Sequence, residues 1–407
     1  MKIRPFPAIR PADNDRARRI ASLPYDVMDT AEARAMAAGN PDSFLHVVRS
    51  EIDLPEDADP YAAAVYDQAA AALDALRADG RLVQESAPSL YLYRQTWRGR
   101  SQTAVVACCE VDDYANGTIL RHEKTRKAKE DDRTRHILRT NVNSGQVFLT
   151  YPDVPAIDAL VAAEAAKTPL YDFTTDDGVG HAVWRVEDAA ALAAAFEAVP
   201  RAFIADGHHR SAASYRAGME RRAGDPAPSP DREYNGFMAC LFPASQLRIL
   251  PYNRLVFSLN GLTPEAFLQK VGEAVSVRPA ADGDPTAPRS CRMYLGGAWY
   301  ELAWTVDAGA SPVDRLDVSV LQDRVLAPLL GIDDPRTSAG IAFIGGIRGT
   351  GELVRRVDSG EAAVAFSMVP TSVQEVMDIA SSGAIMPPKS TWFEPKLRSG
   401  LLIHSLD

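Results

Sequence analysis

Residues 203–213 read FIADGHHRSAA, and the order of residue types in this stretch decides how the fold is read. The apolar run Ala202 to Ala205 has the length and composition of a buried strand. Asp206-Gly207-His208-His209-Arg210 breaks it, and the alanine-rich segment Ser211 to Ala223 then predicts a helix. A strand, a glycine turn and a helix N-terminus leave backbone N–H groups pointing outward with the helix dipole behind them, an arrangement that favours an anion. Gly207 lets the backbone approach a phosphate closely. Arg210 offers a fork that fits two phosphate oxygens. Asp206 suits a metal or a proton, and His208 and His209 suit acid, base or neutral-donor roles near pH 7. The alternative is a polar turn capped by Asp206 with both histidines solvated. Four functional side chains around one glycine are more than such a turn needs. Neither a P-loop ending in Lys-Ser/Thr nor a G-x-G-x-x-G after a strand is present.

Outward from this stretch, helix and strand patterns alternate. Helices are predicted over 30–38, 61–78, 130–140, 157–167 and 188–199, and paired strands over 89–97 and 102–111 around the turn Arg98-Gly99-Arg100. Gly236 to Phe242 reads as another strand, after the proline-rich loop 224–230. The alternation predicts an α/β body, with a mixed α+β arrangement also open. The 407 residues, 46% of them apolar, leave room for two or three domains. We expect a core over 1–257 that carries the Asp-Gly-His-His-Arg loop. A second lobe, 258–407, would have a C-terminal loop that returns to the site.

A net charge of −10 argues against general binding of duplex nucleic acid, but leaves room for a small anion in a locally basic pocket. None of the four cysteines (Cys108, Cys109, Cys240, Cys291) forms C-x-x-C or lies close to a histidine in sequence, so a structural zinc site is not expected. The N-terminus lacks the apolar core of a signal peptide, and no apolar stretch approaches the ~20 residues of a membrane helix. The expectation is a soluble, cytoplasmic protein without membrane or nucleic-acid partners.

Three further segments carry chemistry. Pro24-Tyr25-Asp26-Val27 could line a pocket or be an ordinary turn. His122-Glu123-Lys124-Thr125 precedes a charge run through Arg133. Such runs are commonly solvated helix faces, yet a glutamate among cations can stay ionised and act as base or metal ligand. Met386 to Lys396 (MPPKSTWFEPK) is stiff, polar and aromatic. It could clamp a phosphate or carboxylate, or be a structural loop packed by Trp392 and Phe393.

Taken together, Pro5-Phe6 with Arg10-Pro11, Pro24-Tyr25-Asp26-Val27, His122-Glu123 with Thr125, Asp132-Arg133, the 206–210 loop, Asn253-Arg254, 386–391 and Pro395-Lys396 resemble the family called "domain of unknown function 1015". Over about ten residues, the 206–210 loop is also similar to the phosphate loop of the ParB/sulfiredoxin superfamily. That superfamily includes free-serine kinases, sulfiredoxins and CTP-dependent partition proteins. The resemblance implies a ParB/sulfiredoxin-like phosphate-binding core with an additional C-terminal lobe. The serine-kinase form of the loop places Asp206, His208, His209 and Arg210 near transferred phosphate. The absence of a cysteine in the loop counts against sulfiredoxin chemistry, and the acidic balance counts against a partition protein.

The expected activity is therefore phosphoryl transfer to a small hydroxylated metabolite such as serine, with hydrolysis of a phosphate monoester or a nucleotide-binding switch as alternatives. In this reading Gly207, Arg210, Arg133, His122, Thr125, Lys389, Ser390, Thr391 and Lys396 hold phosphate or nucleotide (ATP, ADP or CTP). Tyr25 and Asp26 hold the acceptor. Glu123, Asp206, His208 and His209 do the chemistry, with Asp206 and Glu123 holding Mg2+. Assigning Glu123 as base follows from its chemistry and not from the resemblance. As a residue that lines a surface, Arg210 should be removable at little cost to the fold.

Overall fold

The apolar run ahead of the glycine turn folds as the strand Ala202–Asp206 in the computed structural model, which describes residues 1–407. The chain is mixed α/β and divides into two units: Met1–Leu247 with Pro395–Asp407, and Arg248–Glu394.

A nine-stranded sheet organises the first unit. From one edge its strands run Ile119–Leu120, Ala202–Asp206, Val147–Tyr151, Gly236–Pro243, Arg100–Glu110, Tyr91–Trp97, Gly180–Arg185 and Tyr171–Thr174, with Ile3–Arg4 also paired to Arg100–Glu110. Two pairings are parallel: Ala202–Asp206 with Ile119–Leu120, and Gly236–Pro243 with Val147–Tyr151. Those central strands, GFMACLFP and VFLTY, are buried at every position, as strands covered on both faces must be. Leu149, Tyr151, Phe196, Ile204 and Leu241 share the core beneath them. The predicted hairpin forms between Tyr91–Trp97 and Arg100–Glu110. Arg98 and Gly99, with φ of 49° and 73°, make the two-residue turn that matches strand twist.

The helix after the glycine turn begins earlier than its alanine content indicates. It spans His208–Gly224, so His208, His209 and Arg210 form its first turn. Gly207 ends the strand in the left-handed region (φ 95°) and supplies the cap position without a side chain. The charged helix likewise starts early, at Lys127, and runs to Thr140 against the helix His208–Gly224. A second core, around Ile20, Phe44, Leu45, Val47 and Leu73, joins the N-terminal helices to the helix Ala63–Ala78.

The segment Pro395–Asp407 threads back through this unit. Ser399 pairs with Ser22, Ile403 with Ile9, and His404-Ser405 with Asn143-Val142. Gly400 makes the crossing fit, because at φ 90° a Cβ there would lie 2.8 Å from Phe44. The second unit is an antiparallel six-stranded sheet in the order Ser276–Ala280, Ala298–Ala303, Ser290–Leu295, Val364–Met368, Tyr252–Val256, Ile341–Gly345. Its core includes Leu255, Tyr294, Ile344 and Leu353.

Gly400→Ala should combine left-handed strain with overpacking against Phe44, for a loss of about 2–4 kcal/mol. Urea denaturation would measure it, and a loss under about 1 kcal/mol would mean that the C-terminal segment is not held as described.

Candidate functional site

Asp206 closes its strand beside a shift in register. The ladder with Val147–Tyr151 slips between Ile204 and Asp206, the kind of bulge that re-aims a side chain at a strand end. Its carboxylate meets two cations: Lys396 Nζ lies 2.8 Å from Oδ2, and Arg210 Nη2 lies 3.5 Å from Oδ1. Burial alone would raise the Asp206 carboxyl, but Lys396 and Arg210 outweigh it and hold the group well below the usual carboxylate range. Asp206 is therefore an anion at neutral pH.

Arg210 differs from its expected role. It is 8% exposed, donates from Nη1 to the Gln146 carbonyl, and lies 3.9 Å from Asp26 as well as beside Asp206. Its guanidinium covers Gly207 so closely that a Cβ there would come within 3.0 Å of Nε. This arginine is packed into the turn and not spread over a surface. The expectation that its removal leaves the fold intact is therefore corrected.

The segment from His122 is fastened to the same helix terminus. The His122 N–H points at His208 Nε2 (3.4 Å), and the Arg126 N–H donates to His209 Nε2 (3.1 Å). Backbone donors fix both tautomers, so each Nδ1 carries the ring proton. For His208 that proton faces Glu123 Oε2 at 3.8 Å. The His122 and His208 rings meet edge to face with centroids 4.5 Å apart. Burial pushes His122 down to about 4 and His208 well below the ordinary histidine range, so both rings are neutral at pH 7. Burial also lowers His209, with Arg126 adding to the shift. Thr125 Oγ1 donates to Glu130, which also faces Arg216.

Tyr25 lies under Arg133, with the guanidinium carbon 4.3 Å from the ring centroid, and Arg133 donates to Asp132. Arg210, Tyr25 and Arg133 line a cavity of about 30 Å3 with Asn143, Ser144 and Ser214. Next to it is a polar cavity of about 150 Å3 that shares Tyr25, Val48, Arg133 and His136 and adds Arg49, Glu51 and Lys129. A single water needs roughly 10–15 Å3, so the first space has room for water and the second for a small polar group.

The first unit thus gathers Tyr25, Asp26, His122, Glu123, Arg133, Asp206, Gly207, His208, His209, Arg210 and Lys396, with Thr125 on the flanking loop. Lys389, Ser390 and Thr391 belong to the second unit. There Lys389 Nζ lies 5.3 Å from the Tyr252 ring centroid, and Ser390 Oγ donates to the Pro387 carbonyl. Sequence reading missed Asn143-Ser144-Gly145-Gln146, which supplies the acceptor for Arg210 and part of the cavity wall. The only signal was four small or polar residues between a charged helix and an apolar strand.

Removing the Arg210 side chain should cost about 3 kcal/mol or more in urea denaturation, since it breaks a buried charge cluster. Arg210→Lys should recover part of that. His122 sets a pH dependence. Between pH 6.5 and 4 the unfolded chain takes up a proton on this ring that the folded chain refuses. Stability therefore falls as pH falls through that window, by about 1 kcal/mol per pH unit for this group. His122→Phe should remove that part of the slope, and an unchanged profile would show that His122 is not held neutral.

Among solved structures the chain is similar to SbnI with C-terminal truncation from Staphylococcus aureus, at 12% identity over 74% of this chain and 87% of that one, with a TM-score of 0.40. It is similar to a mutant free serine kinase in complex with AMP, at 10% identity over 73% and 92% of the two chains, with a TM-score of 0.37. A conserved hypothetical protein from Pyrococcus furiosus gives 12% identity over 74% and 95%, with a TM-score of 0.37. No curated protein matches the sequence. No helix is long and apolar enough to cross a membrane. The family model described as "Protein of unknown function (DUF1015)" matches residues 3–319, and the chain belongs to that family.

Proposed function

We propose that the first unit is a phosphotransferase acting on a small hydroxylated metabolite, with serine as the model acceptor. The observation that carries the reading is the ionised Asp206 between Lys396 and Arg210 at the uncapped N-terminus of the helix His208–Gly224. Phosphoryl transfer needs positioning and charge neutralisation more than covalent help from the protein. The first amides of the helix and the Lys396 ammonium, turning from Asp206, contact the phosphoryl group. Arg210 supports the same charge from behind the turn it packs against. Glu123 takes the proton of the acceptor hydroxyl, and the His208 Nδ1–H steers its carboxylate. Tyr25 and Asp26 hold the acceptor.

Mg2+ fits Asp206 poorly as the side chains stand, because both carboxylate oxygens already face cations. No step here is routed through a metal.

The test is nucleotide consumption with ATP, ADP or CTP, each with Mg2+ in the buffer and with or without L-serine or a related hydroxyl compound. Consumption should require the acceptor. Glu123→Gln should lower turnover by about 100-fold, the scale of general-base loss, with much less change in nucleotide affinity by thermal shift. A nucleotide that binds but is never turned over with any acceptor would overturn the kinase reading in favour of a binding switch. Phosphate release from a monoester without nucleotide would favour a hydrolase.

A further inference from the structure

On the other side of Asn143 from the cavity, Cys108, Glu233 and His404 place a sulfur, a carboxylate oxygen and a ring nitrogen within 4.8 Å of one another. The three come from distant parts of the chain. Cys108 lies on the long strand Arg100–Glu110, Glu233 on the short turn before Gly236–Pro243, and His404 on the returning C-terminal segment. Cys108 and His404 are buried, and Glu233 is partly exposed.

The orientation of His404 is set from behind. Its Nδ1 lies 3.0 Å from Asn143 Oδ1, an oxygen that also faces the Met238 N–H at 3.4 Å. Oδ1 is thus the acceptor, Nδ1 carries the proton, and the Nε2 lone pair points at Glu233 Oε2, 2.8 Å away. Two lone-pair donors facing each other call for a positive charge between them. A shared proton would serve, but it would leave the Cys108 sulfur beside them without a part. A metal ion uses all three donors. A ligating histidine that donates its other N–H to an amide or carboxylate oxygen is the usual support of a metal site. Arg4, 3.3 Å from Glu233 Oε2, is compatible with this as an outer partner of the carboxylate.

We propose that Cys108, Glu233 and His404 bind a zinc-class divalent cation. A mixed S, N, O donor set suits Zn2+ over Mg2+ or Ca2+. Rotation of the partly exposed Glu233 closes the donors onto legs of about 2.0–2.3 Å. Binding releases the Cys108 thiol proton to solvent, so thiolate and carboxylate balance the charge of the ion. The consequence is mechanical. The ion ties the C-terminal segment, which also carries Lys396, to the central sheet. The spacing of cysteine and histidine in the sequence argues against zinc, but the fold brings them together.

The experiment uses the full-length protein. Metal content after purification without added metal should be near one zinc per chain. Chelator-stripped protein titrated with Co2+ should develop a near-ultraviolet thiolate-to-cobalt band that saturates at one equivalent. Stripping should lower the melting temperature, and Zn2+ should restore it. Cys108→Ser should abolish the band, and Glu233→Gln, at a partly exposed position that tolerates the change, should weaken Co2+ binding by at least about 10-fold. A stripped wild type that gives no band, a band that persists in Cys108→Ser, or unchanged Co2+ affinity in Glu233→Gln would each overturn the site. None of these results bears on the phosphotransferase reading.

Discussion

The Asp206 carboxylate, held ionised in a buried site by Lys396 and Arg210, is the interaction around which the first unit is arranged. An unpaired buried carboxylate would be costly, and each neighbouring feature removes part of that cost. The bulge at the end of the strand turns the side chain out of the ladder. Gly207 in the left-handed region lets the helix start at once and lets Arg210 fold over the turn. The Gln146 carbonyl accepts a hydrogen bond from the guanidinium that the carboxylates do not reach. Lys396 arrives from the far end of the chain, so the charge balance of the strand end depends on the C-terminal segment being in place.

That dependence explains why so short a segment is so firmly tied. Bridges at Ser399 and Ile403 and the ladder at His404-Ser405 flank Gly400, where only a hydrogen fits beside Phe44. An error in the path of this segment would move Lys396 and leave Asp206 with half of its neutralisation. Local packing at Phe44 and electrostatics at Asp206 are thus linked through one stretch of backbone.

The parts of the fold legible in the sequence are those set by local chemistry. The strand before Asp206, the hairpin at Arg98-Gly99 and the alanine-rich helix 63–78 follow from residue type and spacing alone. The starts of the helices at Lys127 and His208 were harder to read, because charged and histidine-rich first turns look like loops. The burial of Arg210 was not legible either. A sequence shows an arginine beside a glycine, while the carbonyl of Gln146 and the carboxylate of Asp26 that draw it inward are distant in the chain. The same holds for Cys108 and His404, which lie far apart in the chain and meet only in the folded unit.

Lys396 and Arg210 face the same carboxylate, but they are not equivalent. Arg210 is a member of the helix it helps to begin, is anchored by a backbone carbonyl, and fills the space above Gly207, so it is held in the turn. Lys396 reaches Asp206 through a flexible four-carbon stem from a segment outside the helix. Of the two cations, the lysine is the one to which the proposed phosphotransferase reading gives the contact with the incoming phosphoryl group. In that proposal the arginine keeps the shape of the turn and the lysine meets the phosphoryl group, and this division follows from where each residue is attached to the backbone.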